Sequence, residues 1–101
     1  MPDTVKWLAY DFTVHQKSEP WNNVAGIYIF AGVKNNQWVP YYIGQCDSFQ
    51  NRIPLHEQWD KALALGATHI HARVVPQASD RNRVEKTLIQ SYDPDLNKQL
   101  R

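Results

Sequence analysis

Apolar and polar positions alternate along the chain in short runs that predict its elements. Residues Val5 to Val14 (VKWLAYDFTV) alternate imperfectly and carry Val, Trp, Tyr and Phe, which predicts one strand. His15 to Asn23 (HQKSEPWNN) is polar, contains a proline and reads as a loop. Gly26 to Gly32 and Gln37 to Gly44 are both rich in β-branched and aromatic residues. The intervening VKNNQ supplies asparagines, which tolerate the positive φ that hairpin loops use. Asp47 or Ser48 can cap a helix starting at Phe49, but Pro54 lacks an N–H donor and biases Ile53 away from the helical region. A short first turn, a break, and then a helix from Pro54 to Leu65 are expected, with Gly66 as its stop. Thr68 to Val75 alternates as a third core strand; Ser79 or Asp80 caps a last helix to about Tyr92, which Pro94 ends. The order β, β-hairpin, α, β, α predicts an α/β fold. It is a small sandwich with a mainly antiparallel central sheet (three core strands plus an extra N-terminal strand) flanked by helices.

Register in the central hairpin decides which residues share a face, because side chains alternate along a strand. An odd loop centred on Asn35 places Tyr28 opposite Tyr42, Gly26 opposite Gly44 and Ile27 opposite Ile43. One face is then apolar (Ile27, Ile29, Tyr41, Ile43) and the other presents two facing phenols. A two-residue turn would mix Tyr28 with Ile43, so packing favours the odd loop, β-bulges permitting.

Composition bounds the function classes. A chain of 101 residues suits one domain with a modest core. Hydrophobic residues are 43% and charged residues 21%, as in ordinary globular chains. No apolar run approaches the ~18 residues that span a bilayer, and Met1 to Thr4 lack signal-peptide character, so no membrane partner and a cytoplasmic location are expected. Cys46 is the only cysteine, which excludes an internal disulfide and a Cys-based zinc site. The net charge of +1 is a poor footprint for unaided binding to nucleic acid. From Arg73 onward six basic residues (Arg73, Arg81, Arg83, Lys86, Lys98, Arg101) face four acidic ones, which hints at a basic edge.

The words Gly26-Ile27-Tyr28 and Tyr42-Ile43-Gly44 are followed by Arg52, His56, Glu85 and, after Pro94, Asn97. This ordered set resembles the GIY-YIG endonuclease superfamily, over about Val24 to Gln99. The resemblance implies an N-terminal extension over residues 1–23 and a nuclease-like domain over residues 24–101. It also implies a metal-dependent endonuclease acting on DNA, with Mg²⁺ or Mn²⁺ as cofactor and Glu85 as the single protein ligand. Glu85 is a hard oxygen donor suited to such hydrated cations; an i,i+4 ion pair with Arg81 is the alternative. Arg52 would clamp the phosphate with its forked guanidinium, or simply be a solvated helix-face charge. Tyr28 would orient or deprotonate the attacking water, with His56 accepting its proton; an ordinary helix-face histidine is the alternative.

Arg52 and His56, spaced i,i+4, are expected on one helix face, with Pro54 between them. Tyr42 is assigned to the phosphate and Tyr41 to the core. Asn97 fastens the C-terminal loop to the site, or is a plain turn residue, and Gly44 serves positioning. His69 and His71 share a strand face but lack a third ligand, so they read as ordinary strand histidines, and Cys46 as a small buried residue. The alternative function is a catalytically inactive nucleic-acid-binding or protein-interaction module on the same fold. Family members commonly carry a separate DNA-binding domain, for which this length leaves no room. Weak cleavage, a recruiting protein partner or a homodimer is therefore expected.

Overall fold

The computed structural model describes residues 3–98; Gln99 and Arg101 lie outside the described residues, as do the outer ends of the segments 1–23 and 24–101. The strands are β1 (Thr4–Trp7), β2 (Tyr10–His15), β3 (Gly26–Lys34), β4 (Gln37–Cys46) and β5 (His69–Val74). The helices are α1 (Phe49–Arg52), α2 (Trp59–Leu65), α3 (Ala78–Tyr92) and α4 (Asp95–Lys98). One five-stranded sheet runs β1-β2-β5-β3-β4, with every neighbouring pair antiparallel. The expected α/β sandwich is thus present, with the three core strands adjacent in the order β5-β3-β4.

The expected single strand over Val5–Val14 is instead a hairpin. It turns at Leu8 (φ 56°), and Trp7 pairs with Tyr10. The turn carries no glycine, asparagine or proline to betray it. It is held from a distance, where the Leu8 backbone N–H donates to the Tyr92 hydroxyl at 2.8 Å. β2 then pairs with β5, so the N-terminal hairpin extends the central sheet.

The central hairpin departs from the expected register in an informative way. Its loop has two residues, Asn35 and Asn36, both with positive φ (54° and 63°), and Lys34 faces Gln37. Such a turn twists with its strands, which the odd loop would not have done as well. A β-bulge then intervenes: Ala31 faces Pro40 but Phe30 faces Tyr42, leaving Tyr41 as the extra residue. Beyond it Tyr28 faces Gly44 and Ile29 faces Ile43. The bulge restores the segregation of faces that the even loop would have spoiled, but shifts the pairing by two residues. Tyr28 and Tyr42 are therefore diagonal neighbours, ring centroids 6.2 Å apart, rather than directly opposed.

The two faces build two core clusters. Ile27, Ile29 and Ile43 pack with Trp7, Phe12 and the α3 residues Val84 and Leu88. Tyr28, Phe30 and Tyr42 pack with Phe49, Ile53, Ala62 and Leu96. Tyr41, expected among the isoleucines, packs on this second cluster because the bulge turns it to the same side as Tyr42. The phenol face is therefore covered by α1, α2 and α4 rather than open.

Pro54 has the larger effect on the helices. Ser48 caps α1, its hydroxyl accepting the Asn51 N–H at 3.2 Å. The chain after Arg52 makes turns, and α2 starts only at Trp59 instead of Pro54, ending as expected before Gly66 (φ 124°). α3 begins at Ala78 after Gln77, so neither Ser79 nor Asp80 is its cap, and it ends at Asp93 in the left-handed region (φ 47°).

Of the two strand histidines, His71 is wholly buried and accepts the Trp7 indole N–H at Nδ1, 2.9 Å. His69 contacts the Thr68 hydroxyl at 2.8 Å and the edge of Trp38. An indole is a donor only, so removing it leaves a buried acceptor without a partner. Trp7→Phe is therefore expected to destabilise the fold by ~1–3 kcal/mol, read as a lower urea midpoint at unchanged slope. An unchanged midpoint would show that the Trp7–His71 bond contributes nothing.

Candidate active site

The glycines of the two motif words are places where another group needs the space of a side chain. A Cβ on Gly26 would run into the Arg73 carbonyl and the Phe49 ring, so its absence lets α1 sit down on β3. A Cβ on Gly44 would lie 2.6 Å from the Tyr28 hydroxyl oxygen, so its absence lets that hydroxyl pass over β4, the edge strand. The neighbouring Gln45 faces the other way and donates from Nε2 to Glu85 Oε1 at 3.1 Å and to Asn82 Oδ1 at 2.7 Å. Gly44 and Gln45 thus bring groups from both sides of the sheet to one edge.

Asn97 closes that edge. Its Oδ1 accepts the Ile43 N–H at 2.8 Å, and its Nδ2 donates to the Ile43 carbonyl at 2.9 Å, both buried. The carboxamide mimics the next strand and satisfies the outward groups of β4 while tying α4 to it.

His56 lies in the turn between α1 and α2, so it does not share a helix face with Arg52. The chain reversal at Pro54 nevertheless drives it inward, where it is 5% exposed and its Nε2 lies 2.7 Å from the Tyr28 hydroxyl. Its Nδ1 accepts the Gln58 backbone N–H at 3.0 Å. Burial, and secondarily the charge of Arg52, lower its pKa to about 4, so the ring is neutral at pH 7. A neutral imidazole carries one N–H, and Nδ1 is occupied as an acceptor, so the proton sits on Nε2. His56 therefore donates to the Tyr28 oxygen, the reverse of the expected acceptance of its proton.

Tyr28 is 1% exposed, and burial raises its pKa, as does the neighbouring Tyr42. Tyr42 is shifted up by burial in the same way. The charge of Arg52 favours ionisation of both phenols, and that of Glu85 opposes it. Tyr28, Tyr42, Arg52 and Glu85 therefore share one electrostatic locus, with His56 hydrogen-bonded into it. Glu85 itself is half-buried, and burial raises its pKa against the opposing Gln45 bond. The alternative ion pair with Arg81 is not formed. Arg81 turns to Asp47 at 3.0 Å and to the Val75 and Pro76 carbonyls, and among the described residues Glu85 has no ion pair.

Arg52 is not a solitary solvated charge, since its two terminal nitrogens bond both carboxylate oxygens of Glu57 at 2.7 and 2.8 Å. It borders an open depression of about 320 Å³ with Gln45, Cys46, Ser48 and Asn51. Cys46 is half-buried, and its pKa is raised by burial. The C-terminal basic residues are largely engaged, Arg81 internally, Arg83 with Asp80, Lys98 with Asp93 and Asp95, and Arg73 over the Tyr10 ring. Glu57, Gln58 and Gln45 were not singled out by the sequence. Their roles depend on the chain reversal at Pro54 and on the face opposite Gly44, and only the alternation around Gly44 hinted at Gln45.

Among the described residues no group of three or more His, Cys, Asp or Glu side chains could hold a metal, and no helix is long and apolar enough to cross a membrane. A hydrated divalent cation needing one carboxylate remains compatible with Glu85, a half-buried hard oxygen donor without a cation of its own.

No protein-family model matches the chain, and no curated protein matches it significantly. Solved structures do match. The GIY-YIG N-terminal endonuclease domain of UvrC from Thermotoga maritima, bound to magnesium as its catalytic divalent cation, aligns at 29% identity with a TM-score of 0.59, over 74% of this chain and 84% of that one. An asparagine-to-alanine variant of the same domain, bound to its catalytic divalent cation, aligns at 28% identity with a TM-score of 0.60, over 74% of this chain and 83% of that one. The fold is that of a nuclease domain. These likenesses support the resemblance of the chain to the GIY-YIG superfamily.

Two predictions follow the geometry. His56 and His71 both have folded-state pKa values of about 4 against an ordinary 6.5, each with Nδ1 facing an obligate N–H donor. Their folded pKa is depressed, so the stability they give is complete above pH 6.5 and is lost as pH falls towards 4. Urea unfolding should therefore show a loss on the order of 2–4 kcal/mol between about pH 7 and about pH 4.5, partly offset by the opposite sense of Glu85. A flat profile would mean that these rings are not neutral and buried. Gly44→Ala should push the Tyr28 phenol off His56, shifting the His56 ring ¹⁵N resonances and costing ~1–3 kcal/mol. Unmoved resonances would show that the hydroxyl does not depend on that space.

Proposed function

We propose that the chain is a metal-dependent endonuclease that hydrolyses phosphodiester bonds of DNA. What supports this reading is the Tyr28–His56 hydrogen bond at the Gly44 edge, with Tyr42 beside it and the charges of Arg52 and Glu85 acting on both phenols in opposite senses. Arg52 would bind the non-bridging oxygens of the phosphate as a fork, and Tyr42 would orient it through its hydroxyl. Tyr28 would orient the attacking water; the His56 Nε2–H and the Arg52 charge both favour loss of its phenolic proton, against its burial. Attack of water forms a new P–O bond as the old one breaks, leaving a phosphomonoester and a hydroxyl. Glu85 would hold a hydrated Mg²⁺ or Mn²⁺, which when bound supplies charge neutralisation at phosphorus and at the leaving oxygen. Asn97 acts at a distance by fixing the edge strand.

We further assign the nuclease unit to residues 24–101 with residues 1–23 as an extension of its sheet, and place the protein in the cytoplasm. The net charge of +1 makes recruitment by a protein partner, or doubling of contacts in a homodimer, part of the same reading. The second reading is a binding module without catalysis. It draws on Tyr28, which is buried and held protonated by its surroundings. Nicking of supercoiled plasmid in Mg²⁺ separates the two. Glu85→Gln and Arg52→Ala are each expected to slow nicking by ~10²-fold or more, and chelator to abolish it. Variants that nick as fast as the parent would overturn the assignment, and metal-independent DNA binding without nicking would establish the second reading.

A further inference from the structure

The bidentate pair between Arg52 and Glu57 occupies the guanidinium edge that a phosphodiester would need. We propose that Glu57 is an intramolecular stand-in for the substrate phosphate, a latch that holds Arg52 until a phosphate exchanges for its carboxylate. This inference rests on the nuclease reading for its ligand.

Four observations support it. The pair has fork-to-fork geometry at 2.7 and 2.8 Å, the arrangement that arginine offers to carboxylate and phosphate alike. It is open to solvent, with side-chain exposures of 36% for Arg52 and 63% for Glu57, so a solute can reach it and little holds it shut. Glu57 belongs to the same turn as His56, but the two are anchored differently. His56 is fixed by Tyr28 and the Gln58 N–H, while the Glu57 carboxylate reaches Arg52 and, at a looser 4.0 Å, the ring of His56. The latch can therefore open without moving the ring. Finally, the Arg52 charge favours ionisation of both phenols, whereas the Glu57 charge opposes that of Tyr42. Exchange would thus pass Arg52 to the substrate and draw the Glu57 charge away from Tyr42. Arg52 holds the Glu57 carboxyl at a pKa of about 2, so the latch stays charged throughout the neutral range.

Two probes test the proposal. The first is the Arg52 side-chain ¹⁵Nε–H resonance, titrated with inorganic phosphate in the whole chain. Glu57→Gln should lower the phosphate concentration at half-change by about twofold to fivefold, the scale of an exposed ion pair. The second is the anisotropy of a fluorescein-labelled DNA duplex in chelator, for wild type, Glu57→Gln, Arg52→Ala and the double variant. Glu57→Gln should tighten binding by a similar factor alone and by less than about 1.5-fold when Arg52 is absent, since the coupling runs through that residue. Equal phosphate titrations, or an equal gain in both backgrounds, would overturn the latch, the latter exposing mere removal of a negative charge. If phosphate titrations differ but DNA is neither bound nor cut, the latch stands and the nuclease reading fails.

Discussion

The extra residue that Tyr41 places in β4 is the constraint on which the rest depends. The Asn35–Asn36 turn gives an even register, and without correction the phenols and the isoleucines would change places beyond it. With the bulge, Tyr28 and Tyr42 lie on the face of Phe49 and Ile53, and Ile27, Ile29 and Ile43 on the face of α3. The same shift sets Gly44, rather than Tyr42, against Tyr28. Only then does the phenol find an empty place above the edge strand from which to reach His56. Gln45, one residue on, is thereby turned towards Glu85.

Around that edge the protein keeps its charges in pairs and its buried rings neutral. His56 and His71 each present Nδ1 to a group that can only donate, one a backbone amide and the other an indole. Each therefore carries its proton on Nε2, which for His56 meets Tyr28 and for His71 has no hydrogen-bond partner among the described residues, and a second proton would set two hydrogens against each other. This arrangement suits a ring that positions a phenol better than one that must take its proton. The exception to the pairing is Glu85, whose burial is offset among the described residues by an amide alone. A carboxylate so placed gains most from a cation.

Much of this was legible because it depends on local pattern. The alternation in β3, β4 and β5, the asparagines at the hairpin tip and Ser48 as a cap were visible, as was the break at Pro54. The α/β sandwich and the ordered set from Tyr28 to Asn97 followed. What escaped depends on long-range contacts. The turn at Leu8 has no turn residue of its own and is supported by Tyr92, 84 positions away. The bulge is marked only by Pro40 beside it, a proline that a strand tolerates at an edge or a bulge, and since Tyr41 and Tyr42 are the same residue type either could have been the extra one. Helical spacing suggested a shared face for Arg52 and His56, but Pro54 did more than kink the helix, delaying α2 to Trp59. Spacing therefore placed Arg52 and His56 on a shared face that the break at Pro54 prevents, and overlooked Glu57.

That turn also explains how a site can be rigid in one part and adjustable in another. Between Ile53 and Trp59 the burial alternates, with Ile53, His56 and Gln58 inside and Pro54, Leu55 and Glu57 outside. The inward residues are fixed by core packing and by the bond to Tyr28, so their positions are set when the chain folds. The outward residues answer to solvent and to whatever approaches Arg52. A segment of this kind separates the ring bonded to Tyr28 from the carboxylate paired with Arg52, although they are adjacent in sequence. In a regular helix residues 56 and 57 would lie about 100° apart on one cylinder, rather than one inside and one outside as here. The proline that breaks the helix is in this sense part of the site.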